Sequence, residues 1–167
     1  MKELQLDSID SPIGPILIVV DGEQMSALDF ADCEQRMMTL LERRYGPVHL
    51  TQATDPCGFS SRIRSYLTGN YSCLDTIPVS IGGTAFQQQV WLALRTIAPG
   101  TTTTYSELAA KLGKPAAYRA VGRTNGLNPV GIVLPCHRVI GADASLTGYA
   151  GGIERKQWLL RHEGFTI

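Results

Sequence analysis

Three consecutive side chains, Cys136, His137 and Arg138, follow directly on the apolar run Val130 to Leu134 and Pro135. A thiol with an ordinary pKa of about 8.5 is a poor nucleophile until a base or a positive charge favours its thiolate. An imidazole next to it in sequence therefore suggests a nucleophile with its base. The same residues also describe a structural cysteine beside a satisfied histidine, because cysteine is among the most buried residue types. Neighbours on a regular strand point to opposite faces, so contact between Cys136 and His137 calls for a water relay or a bend after Pro135. The remaining cysteines, Cys33, Cys57 and Cys73, form no CxxC pair, and His49 and His162 stand at no metal-ligand spacing. Neither a zinc site nor a disulfide framework is expected.

The chain that must position these groups has 167 residues, 44% hydrophobic and 18% charged. That composition fits one or two small domains. The opening MKELQLDSID has no signal-peptide character, and no apolar stretch approaches the roughly 20 residues that span a bilayer, so a cytoplasmic protein is expected. Zero net charge hides an asymmetry. Residues 1–83 carry 6 Lys/Arg against 11 Asp/Glu, net −5, whereas residues 84–167 carry 9 against 4, net +5. A basic half joined to an acidic one fits a polyanion-binding domain with a non-binding neighbour.

An α+β fold is expected, with a strand-and-helix domain over 1–80 and a mainly helical domain over 84–167. In the first half, Leu4 and Leu6 alternate with polar residues, ILIVV is a strand, Asp21-Gly22 a hairpin turn, and Met25 to Phe30 a third strand. Asp32 with Gln35 predicts a capped helix from Cys33 to Tyr45, and Ser60 to Leu67 a shorter one. Nothing there carries chemistry, which makes this half a support. In the second half Thr84 with Gln87 forms a capping box before Phe86, Val90, Leu94 and Ile97 at helical spacing. Thr104 with Glu107 opens YSELAAKLG, and a short turn leads to AAYRAVGRTNG, a helix-turn-helix in the basic half. Its second helix is rich in small residues (Ala116, Ala117, Ala120, Gly122), which suits binding through phosphates and groove shape more than base reading. Arg119 is long enough to enter the base stack, and a phosphate contact is its other role.

The set FQQQVWLALRTIAPG, TYSELAAKLG, YRAVGRTNGLNPVGIVLPCHRVIG, TGYAGG and RKQWLLRHEG resembles the O6-alkylguanine-DNA alkyltransferases in order and spacing over residues 84–167, with PCHRV its most specific part. The resemblance implies direct, stoichiometric and irreversible transfer of an alkyl group from guanine O6 in duplex DNA to Cys136, after minor-groove binding and base flipping. O4-alkylthymine is a second candidate lesion. His137 would act through water as the base, Glu163 would orient the imidazole, and Asn128 would hold the turn around the active-site strand. Tyr105 would meet the flipped base and the target phosphate, and Arg119 would replace the extruded guanine, with Ala120 and Arg123 on the same DNA-binding helix. The carbonyls of Cys136 and Val139 would accept from the guanine amino group, while Tyr149 and the Ala150 amide would line its O6 side. Arg123 departs from the small residue common in the family and adds a charge to that helix. The N-terminal zinc ligands of some relatives have no match here, so the resemblance implies no metal and no cofactor. It implies a monomer, with cooperative assembly on DNA left open. A Cys-His-acid hydrolase leaves the basic helix-turn-helix unexplained, and a non-catalytic reader of alkylated guanine would lack the cysteine.

Overall fold

The computed structural model describes all of residues 1–167. The chain forms two compact units, Met1–Gly82 with Pro129–Val133, and Gly83–Asn128 with Leu134–Ile167. Together they give the mixed α+β architecture anticipated from the pattern.

In the first unit β1 (Lys2–Ile9), β2 (Ile16–Asp21), β3 (Gln24–Phe30) and β4 (Val48–Gln52) form one sheet in the order β3-β2-β1-β4. The β1–β2 and β2–β3 pairs are antiparallel and β1–β4 is parallel. The unbroken apolar run Ile16–Val20 lies inside the sheet and is buried throughout. Leu17 and Val19 face one way, where they pack with Leu4, Ala27 and the helix residues Met37 and Leu41. Those two belong to α1 (Glu34–Tyr45). A single 3-10 turn, Ala31–Cys33, precedes α1, so the helix starts after Asp32 and its N-cap, Cys33, makes no side-chain capping bond. The N-cap position thus falls on Cys33, one residue after the predicted Asp32. Instead Asp29, at the end of β3, pairs with Arg36 on the first turns of α1 at 2.7 Å. In β4 the half-buried Val48 and Leu50 alternate with the exposed His49 and Thr51 and pack on the same core, and parallel pairing with β1 completes the strand. The second helix, α2 (Phe59–Leu67), buries Phe59, Ile63 and Tyr66.

A stretch from far along the chain also belongs to this unit. The Leu28 N–H donates to the Pro129 carbonyl at 3.1 Å, and the Gly131 N–H donates to the Leu28 carbonyl at 3.1 Å. Residues 129–131 thus pair with the edge of β3. One step on, Ile132 is fully buried with φ of 67°, a left-handed conformation that a β-branched side chain rarely takes.

In the second unit α3 (Ala85–Leu94) starts at the predicted Thr84–Gln87 capping box and buries Val90, Trp91 and Leu94. The Trp91 indole donates to the Thr124 carbonyl at 2.8 Å, which fixes α3 to a later helix. A short parallel pair, β5 (Thr103–Thr104) and β6 (Val139–Ile140), lies beside α4 (Tyr105–Lys111), α5 (Tyr118–Gly126) and α6 (Ile153–His162). The α4 start is capped on one side only: Thr104 accepts from the Glu107 N–H, while the Glu107 carboxylate takes the Thr103 hydroxyl instead of closing a box. Gly113, at φ of 75°, ends α4, and a 3-10 turn over Pro115–Ala117 leads into α5. This is the helix-turn-helix read from the sequence.

Candidate active site

Residues 131–134 run through a turn and a bend to Pro135, and Cys136–Arg138 form one 3-10 turn before β6. The sequence pictured a strand here. The turn removes the objection that adjacent strand residues face opposite sides, and Cys136, His137 and Arg138 are all buried. Side-chain donors then fix the carbonyls around this turn. The Asn128 amide donates to the Leu134 carbonyl at 2.7 Å and the Asn125 amide to the Cys136 carbonyl at 3.3 Å.

Glu163 follows α6, and its side chain is fully buried. One of its oxygens accepts from His137 Nε2 at 2.8 Å and from Arg138 Nη2 at 2.8 Å, and the other accepts from Arg138 Nε at 2.8 Å. Arg138 closes the cluster by donating from Nη1 to the Ile97 carbonyl at 2.6 Å. Burial alone would push the Glu163 carboxyl up, but the Arg138 and His137 hydrogen bonds and charges outweigh it and hold the group well below the usual carboxylate range. Burial drives His137 the other way, below the ordinary imidazole value, against the pull of Glu163. The consistent state is a carboxylate paired with the guanidinium and a neutral imidazole. Since the carboxylate can only accept, the imidazole proton sits on Nε2. That leaves Nδ1 as a basic lone pair, buried and with no hydrogen-bond partner in the protein.

The close approach of the backbone to Glu163 depends on one glycine. A Cβ at Gly100 would lie 2.9 Å from the Glu163 carbonyl oxygen, and Gly100 has φ of 79°, so a side chain is excluded on both counts.

Two members of this cluster carried no assigned role in the sequence reading. Arg138 was visible beside His137, but only the buried acid shows why a guanidinium is required: without it the carboxylate would lose two of the three hydrogen bonds from His137 and Arg138. Lys156 gave no signal, since a lysine in RKQWLLRHEG reads as a solvated helix face. It is fully buried. Its ammonium donates to the carbonyls of Val139 at 2.7 Å, Thr147 at 2.6 Å and Gly148 at 3.4 Å. Burial lowers it to about 8, against an opposing electrostatic pull from Cys136. Lys156 therefore ties the loop after β6 to the strand and places positive charge near Cys136.

The other predicted positions fall into two groups. Val139 is buried, with its carbonyl on Lys156, and the half-buried Tyr105 accepts at its hydroxyl from Thr147 at 3.3 Å. Tyr149 and Ala150 lie on the Gly-rich loop between β6 and α6, half-buried and exposed respectively. Arg119 and Arg123 extend from α5 into solvent, Arg119 lying 5.7 Å from the Tyr118 ring centre, and Ala120 is half-buried between them. The arginines make no contact with the His137 cluster.

Comparison with known proteins covers nearly the whole chain. Residues 85–165 match the family model described as 6-O-methylguanine DNA methyltransferase, DNA binding domain, and residues 6–81 match the ribonuclease-like domain of the same family. The chain is 45% identical over 170 residues to the methylated-DNA--protein-cysteine methyltransferase of Shigella flexneri, covering 100% of this chain and 99% of that one. It is 43% identical over 159 residues to the enzyme of the same name from Mycobacterium tuberculosis, covering 93% and 90%. Among solved structures, that of M. tuberculosis OGT in complex with DNA superposes with a TM-score of 0.78 at 36% identity, over 96% of this chain and 92% of that one. The buried Cys-His-Glu-Arg arrangement, both domain matches and full-length identities above 40% place this chain in the 6-O-methylguanine DNA methyltransferase family.

Proposed function

We propose that this protein repairs DNA by moving the alkyl group of O6-alkylguanine, with O4-alkylthymine as a second substrate, onto Cys136. The observation that carries the reading is the buried His137 Nε2–Glu163 hydrogen bond with Nδ1 left without a partner. Glu163 holds the Nε2 proton, so Nδ1 is free to take the Cys136 proton through a water molecule. The thiolate then attacks the alkyl carbon: the sulfur–carbon bond forms as the carbon–O6 bond breaks. The departing guanine takes one proton at N1 from the His137 relay, which returns to its neutral state. The positive charge of Lys156 favours the thiolate before attack. A thioether cannot be cleaved by the same groups, so each molecule acts once, with no cofactor.

Duplex DNA is bound through the minor groove by α5, whose small residues permit close approach and whose Arg119 and Arg123 supply the charge. An alkylated O6 inside a base stack is out of reach of a buried thiol. The base is therefore extruded, Arg119 fills the gap, and Tyr105 contacts the base and its phosphate. Tyr149 and Ala150 border the O6 side. The protein works as a monomer, and the acidic first unit supports the second.

The test is a duplex carrying O6-methylguanine, followed by peptide mass analysis. A methyl-sized increment on the Cys136 peptide, one per molecule and absent in Cys136→Ser, is the expected result. Persistence of the lesion with Cys136 unmodified overturns the proposal.

A further inference from the structure

Arg119 makes no ion pair and no hydrogen bond within the protein. Its guanidinium lies 5.7 Å from the centre of the Tyr118 ring, inside the reach of a cation–ring attraction. Two further features direct it there. Arg123 lies four residues on, one turn along the same face of α5, and like charges at that spacing repel. The repulsion leaves Arg119 the side toward the helix start, where Tyr118 stands as the first residue of α5. Tyr118 is itself 42% exposed, so its ring is open to a partner and not committed to the core. It also shares a face with Gly122, and a Cβ built at Gly122 would come within 3.7 Å of the Tyr105 ring. Tyr118 therefore stands one helical turn from the place where α5 meets Tyr105, the residue proposed to contact the extruded base and its phosphate.

From this geometry we infer that Tyr118 is a positioning residue: its ring holds the Arg119 guanidinium flat and aimed as it enters the base stack. The inference rests on the reading of Arg119 as the group that fills the gap. A guanidinium is planar and stacks on an aromatic face, so a ring beside it restricts the side chain before DNA arrives. In solvent that attraction is small. Inside a duplex water is excluded from the pair, and the same attraction grows. The hold therefore strengthens at the step that needs it, when Arg119 replaces the base. An arginine that only touched a phosphate would gain nothing from a ring at its side.

The experiment measures methyl transfer to Cys136 from a duplex carrying O6-methylguanine and from the free O6-methylguanine base, which leaves no gap to fill. Tyr118→Leu keeps apolar bulk and removes the aromatic face. It should slow the duplex reaction roughly five- to thirtyfold, the range from an exposed to a water-excluded guanidinium–ring pair, and the free-base reaction by less than about twofold. Tyr118→Phe keeps the face and should stay within about threefold of wild type on the duplex. Arg119→Ala should itself slow the duplex reaction selectively, and in that background Tyr118→Leu should add less than about twofold. Three results overturn the inference: equal slowing of duplex and free base by Tyr118→Leu, slowing of neither, or a full effect that persists without Arg119. The last would make Tyr118 a DNA contact in its own right. Arg119→Ala that slows both substrates equally sinks the gap-filling reading, and the inference with it. If wild type transfers nothing, the transfer reading falls alone. The same single and double variants titrated with the lesion duplex then decide the inference, non-additive losses of affinity sustaining it and additive losses removing it. If Tyr118→Leu folds poorly by its thermal midpoint, Tyr118→Met takes its place.

Discussion

The chain contains a histidine–carboxylate contact of the same length twice. His49 Nδ1 lies 2.8 Å from Glu3 Oε2 across β4 and β1, and His137 Nε2 lies 2.8 Å from Glu163 Oε2 in the second unit. The first pair has side chains 60% and 68% exposed, and the second has none of either exposed. Distance therefore says nothing about which pair does chemistry. Water can replace either partner of the surface pair, so nothing there holds the two side chains in one geometry. In the buried pair each group must be matched by the protein: Arg138 completes the carboxylate, the carboxylate fixes the imidazole tautomer, and one nitrogen is left with its lone pair available.

The strongest way to break this contrast is Glu163→Gln. The shape survives, but a buried guanidinium and imidazole lose their shared charge. Removing one partner of a buried pair costs about 3–5 kcal/mol. We expect unfolding by urea to show a loss of that order, with methyl transfer to Cys136 reduced at least in proportion to the lost imidazole tautomer. A loss below about 1 kcal/mol would mean that the cluster is not the buried, coupled unit described.

Acid sharpens the comparison at intermediate scale. His137 is held below its ordinary value of 6.5 in the fold, so on unfolding it gains a proton wherever the pH lies between the two values. Stability is then full above about pH 6.5 and falls as the pH drops below it, with a limiting slope of about 1.4 kcal/mol per pH unit. Glu163 adds to the loss at lower pH, since its carboxyl is depressed in the fold and its contribution fades as acid protonates the unfolded chain's carboxyl below about 4.5. Urea midpoints measured from pH 7.5 to 5 in wild type and in His137→Gln should diverge, the variant losing less. Parallel curves would show that the buried imidazole is not the titrating group.

The smallest effect belongs to the surface pair. Glu3→Gln should change stability by no more than about 0.5 kcal/mol and leave transfer unchanged. A larger cost would restore to the exposed pair the importance that its solvent contact denies it.

Much of the second unit could be read from residues alone. The Thr84–Gln87 box, the Gly113 stop and the helix-turn-helix are local signals, and local signals survive folding. The pairing of His137 with Glu163 was legible only through the family resemblance, since 26 residues separate the two and nothing near Glu163 marks it as buried. Lys156 and Asn125 were not legible at all. A lysine on a helix and an asparagine before a glycine have ordinary surface roles, and only the tertiary fold reveals the carbonyls they meet. In the first unit the opposite error occurred. Asp32 has every local mark of a cap, yet the chain takes a 3-10 turn there and the N-cap position falls one residue later, on Cys33. The strand β4 escaped notice although Val48 and Leu50 alternate with His49 and Thr51, because so short a run after a Gly-Pro turn is a weak signal until it pairs with β1.

The contact between Gly100 and the Glu163 carbonyl has a consequence for how this protein can vary. Position 100 lies in a polar loop that would ordinarily tolerate almost any residue, and inspection of the chemistry would never mark it. Every side chain there meets the backbone that carries the acid, so the set of inactivating substitutions extends beyond the residues that touch a proton. In a library of random variants, changes at position 100 should be depleted among functional survivors as strongly as changes in the cluster it supports.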